Sequence, residues 1–204
     1  MHKTVLLITH PELDVNFWAK NRPDVEAARP SHCGGCGRAA RRATGRLRLW
    51  GHGTRTRTQW GPAQPGRPPG LLELVVRRYR CTDCGVTRTV VPRGVVKAYR
   101  YTLAAIALAL TYWAVWRWPQ DRARERVSPW PVVGSAEPHR WRSLRRWASR
   151  ARELFGLDDI ALHGSARLIA RRVTKLLAGR GPPDGTELDR VFAGAHVRGR
   201  TSST

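Results

Sequence analysis

Acidic side chains are scarce in this chain: 15 Asp and Glu stand against 37 Lys and Arg over 204 residues, a formal net charge of +22. A two-metal carboxylate centre needs several acids held on one scaffold, and beyond residue 100 the acids are few and scattered. Asp158 and Asp159 are neighbours, which on a helix point about 100° apart, so capping a helix start is their better account. Lysine is nearly missing as well, at only Lys3, Lys20, Lys97 and Lys175, so the charge belongs to arginine. No apolar run is long. The longest uncharged stretch, residues 101–116, falls short of the roughly 20 residues that a bilayer span needs and reads as a buried helix. Residues 4–9 are too short for the apolar core of a signal peptide, and no small-residue cleavage site follows. No phosphate-binding glycine loop, Ser–His–acid set or reactive cysteine occurs, and His10, His139, His163 and His196 stand isolated. These absences point away from an enzyme and away from a membrane, toward a cytoplasmic, nucleoid-associated protein. A surplus of positive charge this large seeks a polyanion, and nucleic acid is the default candidate. The 41% hydrophobic content argues against wholesale disorder.

The four cysteines form two matched pairs, Cys33-Gly34-Gly35-Cys36 and Cys81-Thr82-Asp83-Cys84, each followed by glycine (Gly37, Gly85). In such a knuckle the two thiolates converge on one metal, and the small residue lets the backbone turn tightly and aim its amides at the sulfurs. Two knuckles supply the four soft ligands of a closed tetrahedral site. The expectation is one structural Zn²⁺ held by Cys33, Cys36, Cys81 and Cys84, with two disulfides or an iron–sulfur cluster as the rivals. The gap between knuckles is long for a ribbon, but loop closure grows costlier only slowly with length. His52 and His32 are expected bystanders, because four thiolates already fill the coordination shell.

Residues between the knuckles alternate as strands do. Residues 46–50 and 54–60 are expected to flank a bend at Gly51-His52-Gly53, and residues 61–70, with four prolines and three glycines, to form an irregular loop. Residues 71–80 lead into the second knuckle and 86–91 continue beyond it. The sum is a three- or four-stranded antiparallel ribbon with metal at one end. Arg55, Arg57, Arg77, Arg78 and Arg80 line these strands, either as a solvated face or as phosphate contacts.

From residue 101 the period becomes helical: Leu103, Ile106, Ala107 and Leu110 share a face that Trp113 and Trp116 extend. Pro119 ends or kinks this helix, residues 121–127 suit a short second one, and 128–136 read as a linker. A third helix is expected over residues 138–155, with Trp141, Leu144, Trp147, Ala151, Leu154 and Phe155 on one face and Arg140, Arg142, Arg145, Arg146, Arg150 and Arg152 on the other. Ser165 should cap a basic helix over 166–178, and Thr186 with Asp189 has the spacing of a capping box.

One order of motifs carries a resemblance. Cys33-x-x-Cys36-Gly is followed by Trp50-Gly-His-Gly-x-Arg55, then Arg78-x-Arg80-Cys81-x-x-Cys84-Gly-x-Thr-x-Thr89, Pro92, and Tyr99-Arg-Tyr101 entering an apolar helix. This order resembles the N-terminal zinc-ribbon/helix-turn-helix region of insertion-sequence transposases and the short stand-alone bacterial zinc-ribbon proteins related to it. Ser143-Leu144-Arg145-Arg146-Trp147 is similar to the recognition-helix signature of that family. The resemblance implies an α+β chain: a small antiparallel zinc ribbon at 31–100, then a helix-turn-helix-like DNA-binding domain at 101–156. Residues 1–30 would be an N-terminal extension and 157–204 basic helices and a tail. It implies a structural-zinc, double-stranded-DNA-binding accessory or regulatory factor of a mobile genetic element, with a recombinase or transposase as the candidate protein partner. Arg55, Arg57, Arg78, Arg142, Arg145, Arg146 and Arg150 are the expected nucleic-acid contacts. An RNA- or ribosome-associated zinc-ribbon protein, or an adaptor holding a recombinase, are the alternatives.

Overall fold

The computed structural model describes residues 5–96, 99–130, 141–157 and 160–197. It is a mixed α+β chain with one four-stranded sheet and seven helices among the described residues. The chain packs as two compact units, Met1–Thr58 with Glu73–Lys97, and Gln59–Leu72 with Ala98–Thr204. No helix among the described residues is long and apolar enough to cross a membrane.

The sheet consists of β1 (Val5–Asp14), β2 (Leu49–Pro62), β3 (Pro69–Cys81) and β4 (Thr87–Arg93), in the order β1-β4-β3-β2; all of it belongs to the first unit except the end of β2 and the start of β3, within Gln59–Leu72. β4 lies between two neighbours, and its residues 88–92 are all buried. β3 runs antiparallel to it, from Arg77 opposite Val90 to Arg80 opposite Thr87. β1 runs parallel to β4, from Val5 opposite Arg88 to Asp14 opposite Arg93. The sheet is therefore not the all-antiparallel ribbon that the sequence suggests. Residues expected as an N-terminal extension supply its edge strand, because a parallel partner can arrive from far along the chain. The expected break at Gly51-His52-Gly53 is also absent: β2 passes straight through, and Gly53, at φ 83°, absorbs the irregularity inside the strand.

Helix α1 (Val15–Asn21) follows β1 directly. The Asp14 carboxylate caps it, accepting from the N–H groups of Asn16 and Phe17 at 2.8 and 2.9 Å, and Arg22 closes it in the left-handed region. Val15 and Trp18 turn inward, and the Trp18 indole donates to the Val75 carbonyl at 3.1 Å, seating the helix on β3. Leu74, Val76 and Tyr79 on β3 are also buried, and the Tyr79 hydroxyl donates to the Val25 carbonyl.

In the second unit α2 (Leu103–Ala114) is buried at every position. Such a helix sits at the centre of a bundle rather than on its surface. Thr102 caps it through the Ala105 N–H. Around it stand α3 (Gln120–Glu125), α4 (Ser143–Ser149), α5 (Ala151–Phe155), α6 (Ala166–Arg180) and α7 (Glu187–Gly194). Both caps legible in the sequence form: Ser165 accepts from the Leu168 N–H, and Thr186 and Asp189 make a reciprocal box. The single helix expected over 138–155 does not form. Residues 138–140 lie outside the described residues, and from Ser143 the helix stops at Ser149, where Arg150 leaves helical geometry at φ −102°, ψ 11° before α5 begins. The Ser149 hydroxyl donates to the Arg146 carbonyl at 2.9 Å, a local bond that competes with the helical ladder.

Two glycines of the α6–α7 pair give opposite predictions. A Cβ on Gly194 would overlap the Leu177 carbonyl, whereas one on Gly179 meets nothing within 4 Å. Gly194→Ala is expected to lower stability by about 1–3 kcal/mol through overpacking. Gly179→Ala is expected to be neutral or to add up to about 1 kcal/mol through helix propensity. Chemical denaturation of the two variants checks both signs.

Candidate metal centre

The two knuckles have the same backbone wiring. In the first, the Cys33 N–H donates to the Arg38 carbonyl and the Gly37 N–H to the Cys33 carbonyl, both at 2.8 Å. In the second, the Cys81 N–H donates to the Val86 carbonyl at 3.0 Å and the Gly85 N–H to the Cys81 carbonyl at 2.9 Å. Gly37 and Gly85 take φ of 71° and 69°, where a side chain would be strained; this is why glycine follows each pair. The turns bring four thiols together. Cys33 and Cys84 sulfurs lie 3.7 Å apart, Cys36 and Cys81 sulfurs 3.9 Å, and all four fall within 4.8 Å of one another.

Those distances decide between the rivals. A disulfide holds its sulfurs about 2.05 Å apart, and all four cysteines are free. A tetrahedral ion with metal–sulfur bonds of about 2.3 Å places its ligand sulfurs about 3.8 Å apart, close to the two spacings observed. Sulfurs this close leave room for one ion and not for a multi-iron cluster. The four cysteines thus form a site that fits a single metal ion, and among the described residues His32 and His52 stay outside it.

The electrostatics of the thiols fit a cation too. Burial opposes ionisation of Cys33, but the amides of Cys36 and Gly35 and the sulfurs of Cys84 and Cys81 outweigh it and bring the thiol down to about 7. Cys84 goes the other way: the Val86 amide favours its thiolate, yet burial and the other three sulfurs push it up to about 12. Four thiolates cannot gather here on their own. A divalent ion that displaces the protons makes the full set possible.

Two residues that the sequence reading did not single out, Asp83 and Arg88, lie at the centre. Asp83, inside the second knuckle, accepts from Arg38 at 3.0 Å and Arg42 at 2.8 Å, and forms an ion pair with Arg48 at 3.0 Å. The Arg38 guanidinium, with Arg42 and Arg48, holds its carboxyl below the usual range against the effect of burial. All three arginines follow the first knuckle in the chain, so this cluster fastens one knuckle to the other. Arg88 is 8% exposed and donates to the Gly34 carbonyl at 2.8 Å. Its Nη2 and the Cys84 sulfur each lie 3.4 Å from where a Cβ on Gly35 would be. Arg88 and the Cys84 sulfur thus both close on Gly35, where a side chain would be tight against them. Arg88 Nε and Nη1 have no hydrogen-bond partner among the described residues. In the sequence its only hint is an arginine set among the strand-forming residues Thr87, Thr89 and Val90.

The expected nucleic-acid residues divide between the two units. In the first, Arg55 is exposed on β2, Arg78 is half-buried on β3, and Arg57 is half-buried and donates to the Val96 carbonyl at 2.9 Å. Burial and the nearby Arg55 cation lower the pKa of Arg57. In the second, Arg142, Arg145, Arg146 and Arg150 are all exposed on or beside α4, while Leu144, Trp147 and Ala148 on the same helix are buried. Arg150 reaches the Tyr99 hydroxyl at 3.4 Å. Against family models, curated proteins and solved structures, the chain matches nothing.

Proposed function

We propose that the protein is a DNA-binding protein whose four-cysteine centre holds one structural Zn²⁺, and that it serves as an accessory or regulatory factor in a transposition system. The observation that carries the DNA reading is the division of α4: Leu144 and Trp147 seat the helix, and Arg142, Arg145, Arg146 and Arg150 face solvent. No acidic residue lies on α4 itself. A helix that presents arginines in this way suits the major groove, where arginine pairs bidentately with guanine O6 and N7. The net charge of +22 supplies the long-range attraction. Arg55, Arg57 and Arg78 would add phosphate contacts, which position the protein without reading sequence. Zinc is the metal favoured by a closed set of four thiolates, and with every position filled by protein it has no open site for catalysis. The mobile-element role follows the motif order from Cys33 to Tyr101.

Selection of a preferred duplex from a random pool, followed by titration at several salt concentrations, tests this reading. Affinity is expected to fall steeply with salt, as phosphate contacts release counterions. Arg145→Ala with Arg146→Ala is expected to cost roughly 1–3 kcal/mol per lost base contact and to flatten the sequence preference. Arg55→Ala should weaken all duplexes alike. A double variant that binds the preferred duplex as tightly as the parent removes α4 as the reader, and tighter binding to structured RNA than to any duplex removes DNA as the target.

A further inference from the structure

The Trp50-Gly51-His52 segment plays no part in the metal centre, yet it lies beside it. Successive residues of a strand point to opposite faces of the sheet. Leu49 and Cys81 are 1% and 0% exposed, so their neighbours Trp50, Arg80 and Thr82 turn outward. With His52, Cys81 and Gly85 they line an open pocket of about 460 Å³, within the size range of small-ligand sites. Trp50 is 54% exposed, a large aromatic surface left in water. Its indole N–H donates to the Leu47 carbonyl at 3.2 Å, which fixes the plane of the ring. The side chains of Arg80 and His52 make no hydrogen bond or ion pair among the described residues. No carboxylate lines the pocket, and the nearby Asp83 is taken up by three arginines.

We propose that this pocket binds an unpaired nucleotide of DNA, with its base stacked on Trp50 and its phosphate held by Arg80 and His52. The proposal rests on the nucleic-acid reading above and adds a strand state to it. In a duplex both faces of a base are covered by its neighbours. A fixed indole can stack only on a base that has left the helix, as at an overhang, a melted junction or a flipped position. The aromatic plate selects the unpaired base, and the adjacent uncompensated cation selects nucleic acid over a neutral aromatic ligand. The metal fixes Cys81 and with it the direction of Arg80 and Thr82, so the plate and the phosphate partner are held rigidly beside one another.

The test is a fluorescence-anisotropy titration of the full, zinc-loaded chain with labelled oligothymidine of about ten nucleotides, a site size typical of single-strand binders. A blunt duplex and oligouridine are run in parallel. Trp50→Ala is expected to weaken oligothymidine binding roughly tenfold, the loss of one stacked base, and to change blunt-duplex binding far less. Trp50→Phe, which keeps a plate, should restore most of the affinity. Zinc content equal to the parent shows that the variants are folded. Equal oligothymidine affinities for parent and Trp50→Ala overturn the proposal, as does an equal loss on blunt duplex, and binding of oligouridine alone replaces DNA by RNA. If no blunt duplex binds while oligothymidine binding still depends on Trp50, the pocket stands and the duplex reading falls.

Discussion

Cys81→Ser is expected to empty the metal centre and unravel the end of the sheet unit that the knuckles form, while the α2-centred bundle survives. Cys81 is fully buried at the end of β3, and its sulfur lies among those of the other three cysteines. A structural zinc contributes about 10–16 kcal/mol of apparent folding free energy in small zinc modules, which is as large as the whole stability of an ordinary domain. One missing thiolate forfeits most of that. Metal analysis should read one zinc per chain for the parent and close to none for Cys81→Ser. Near-ultraviolet signals from Trp50 should change while the helical far-ultraviolet signal largely persists. The pH dependence has a definite sign: zinc displaces thiol protons, so affinity falls as pH falls. A parent protein prepared without chelator that carries no zinc would remove the centre, and full zinc in Cys81→Ser would remove Cys81 from it.

The metal centre was legible because its chemistry is local. Two Cys-x-x-Cys-Gly turns encode their own geometry, and only their meeting, across more than forty intervening residues, had to be inferred. Helix caps were legible for the same reason: Ser165, and Thr186 with Asp189, act within a single turn. The parallel strand β1 was hidden because its partner β4 lies some seventy residues away, and the period of residues 5–14 says nothing about who pairs with them. The break at Arg150 was hidden for a different reason. Leu144, Trp147, Ala151, Leu154 and Phe155 keep their apolar spacing in phase across the interruption, so two short helices present the same buried stripe as one long helix. Arg88 and Asp83 escaped notice because composition shows a charge, but not whether a fold buries it. Asp83 looks like any turn acid until three arginines close on it, and Arg88 looks like one more of many arginines until β4 is found with neighbours on both sides.

Trp147→Ala is expected to be the most damaging single change in the helical unit. Trp147 is 1% exposed and lies at the middle of a chain of edge-to-face rings. Its ring stands 5.1 Å from Tyr101 and 4.9 Å from Trp141, and Tyr101 in turn meets Trp60 at 5.2 Å. Edge-to-face pairs add to simple burial, and truncating a buried tryptophan to alanine costs about 3–5 kcal/mol. For a unit of this size that lowers the melting temperature by on the order of 10–20 °C. Trp147→Phe separates the ring from its polar atom. The indole N–H is buried without a hydrogen-bond partner among the described residues, so phenylalanine keeps an aromatic contact and removes an unpaired donor, and its cost should be much smaller. The pair also bears on DNA binding. Trp147 is what seats α4, and α4 carries Arg145 and Arg146 on its exposed face. Trp147→Ala should therefore lose the preferred duplex below its own melting point, whereas Trp147→Phe keeps it. Thermal melts of both variants, followed by titration at a temperature where each is folded, give the two readings. A Trp147→Ala protein that melts within about 1 kcal/mol of the parent would mean that the ring chain does not anchor α4.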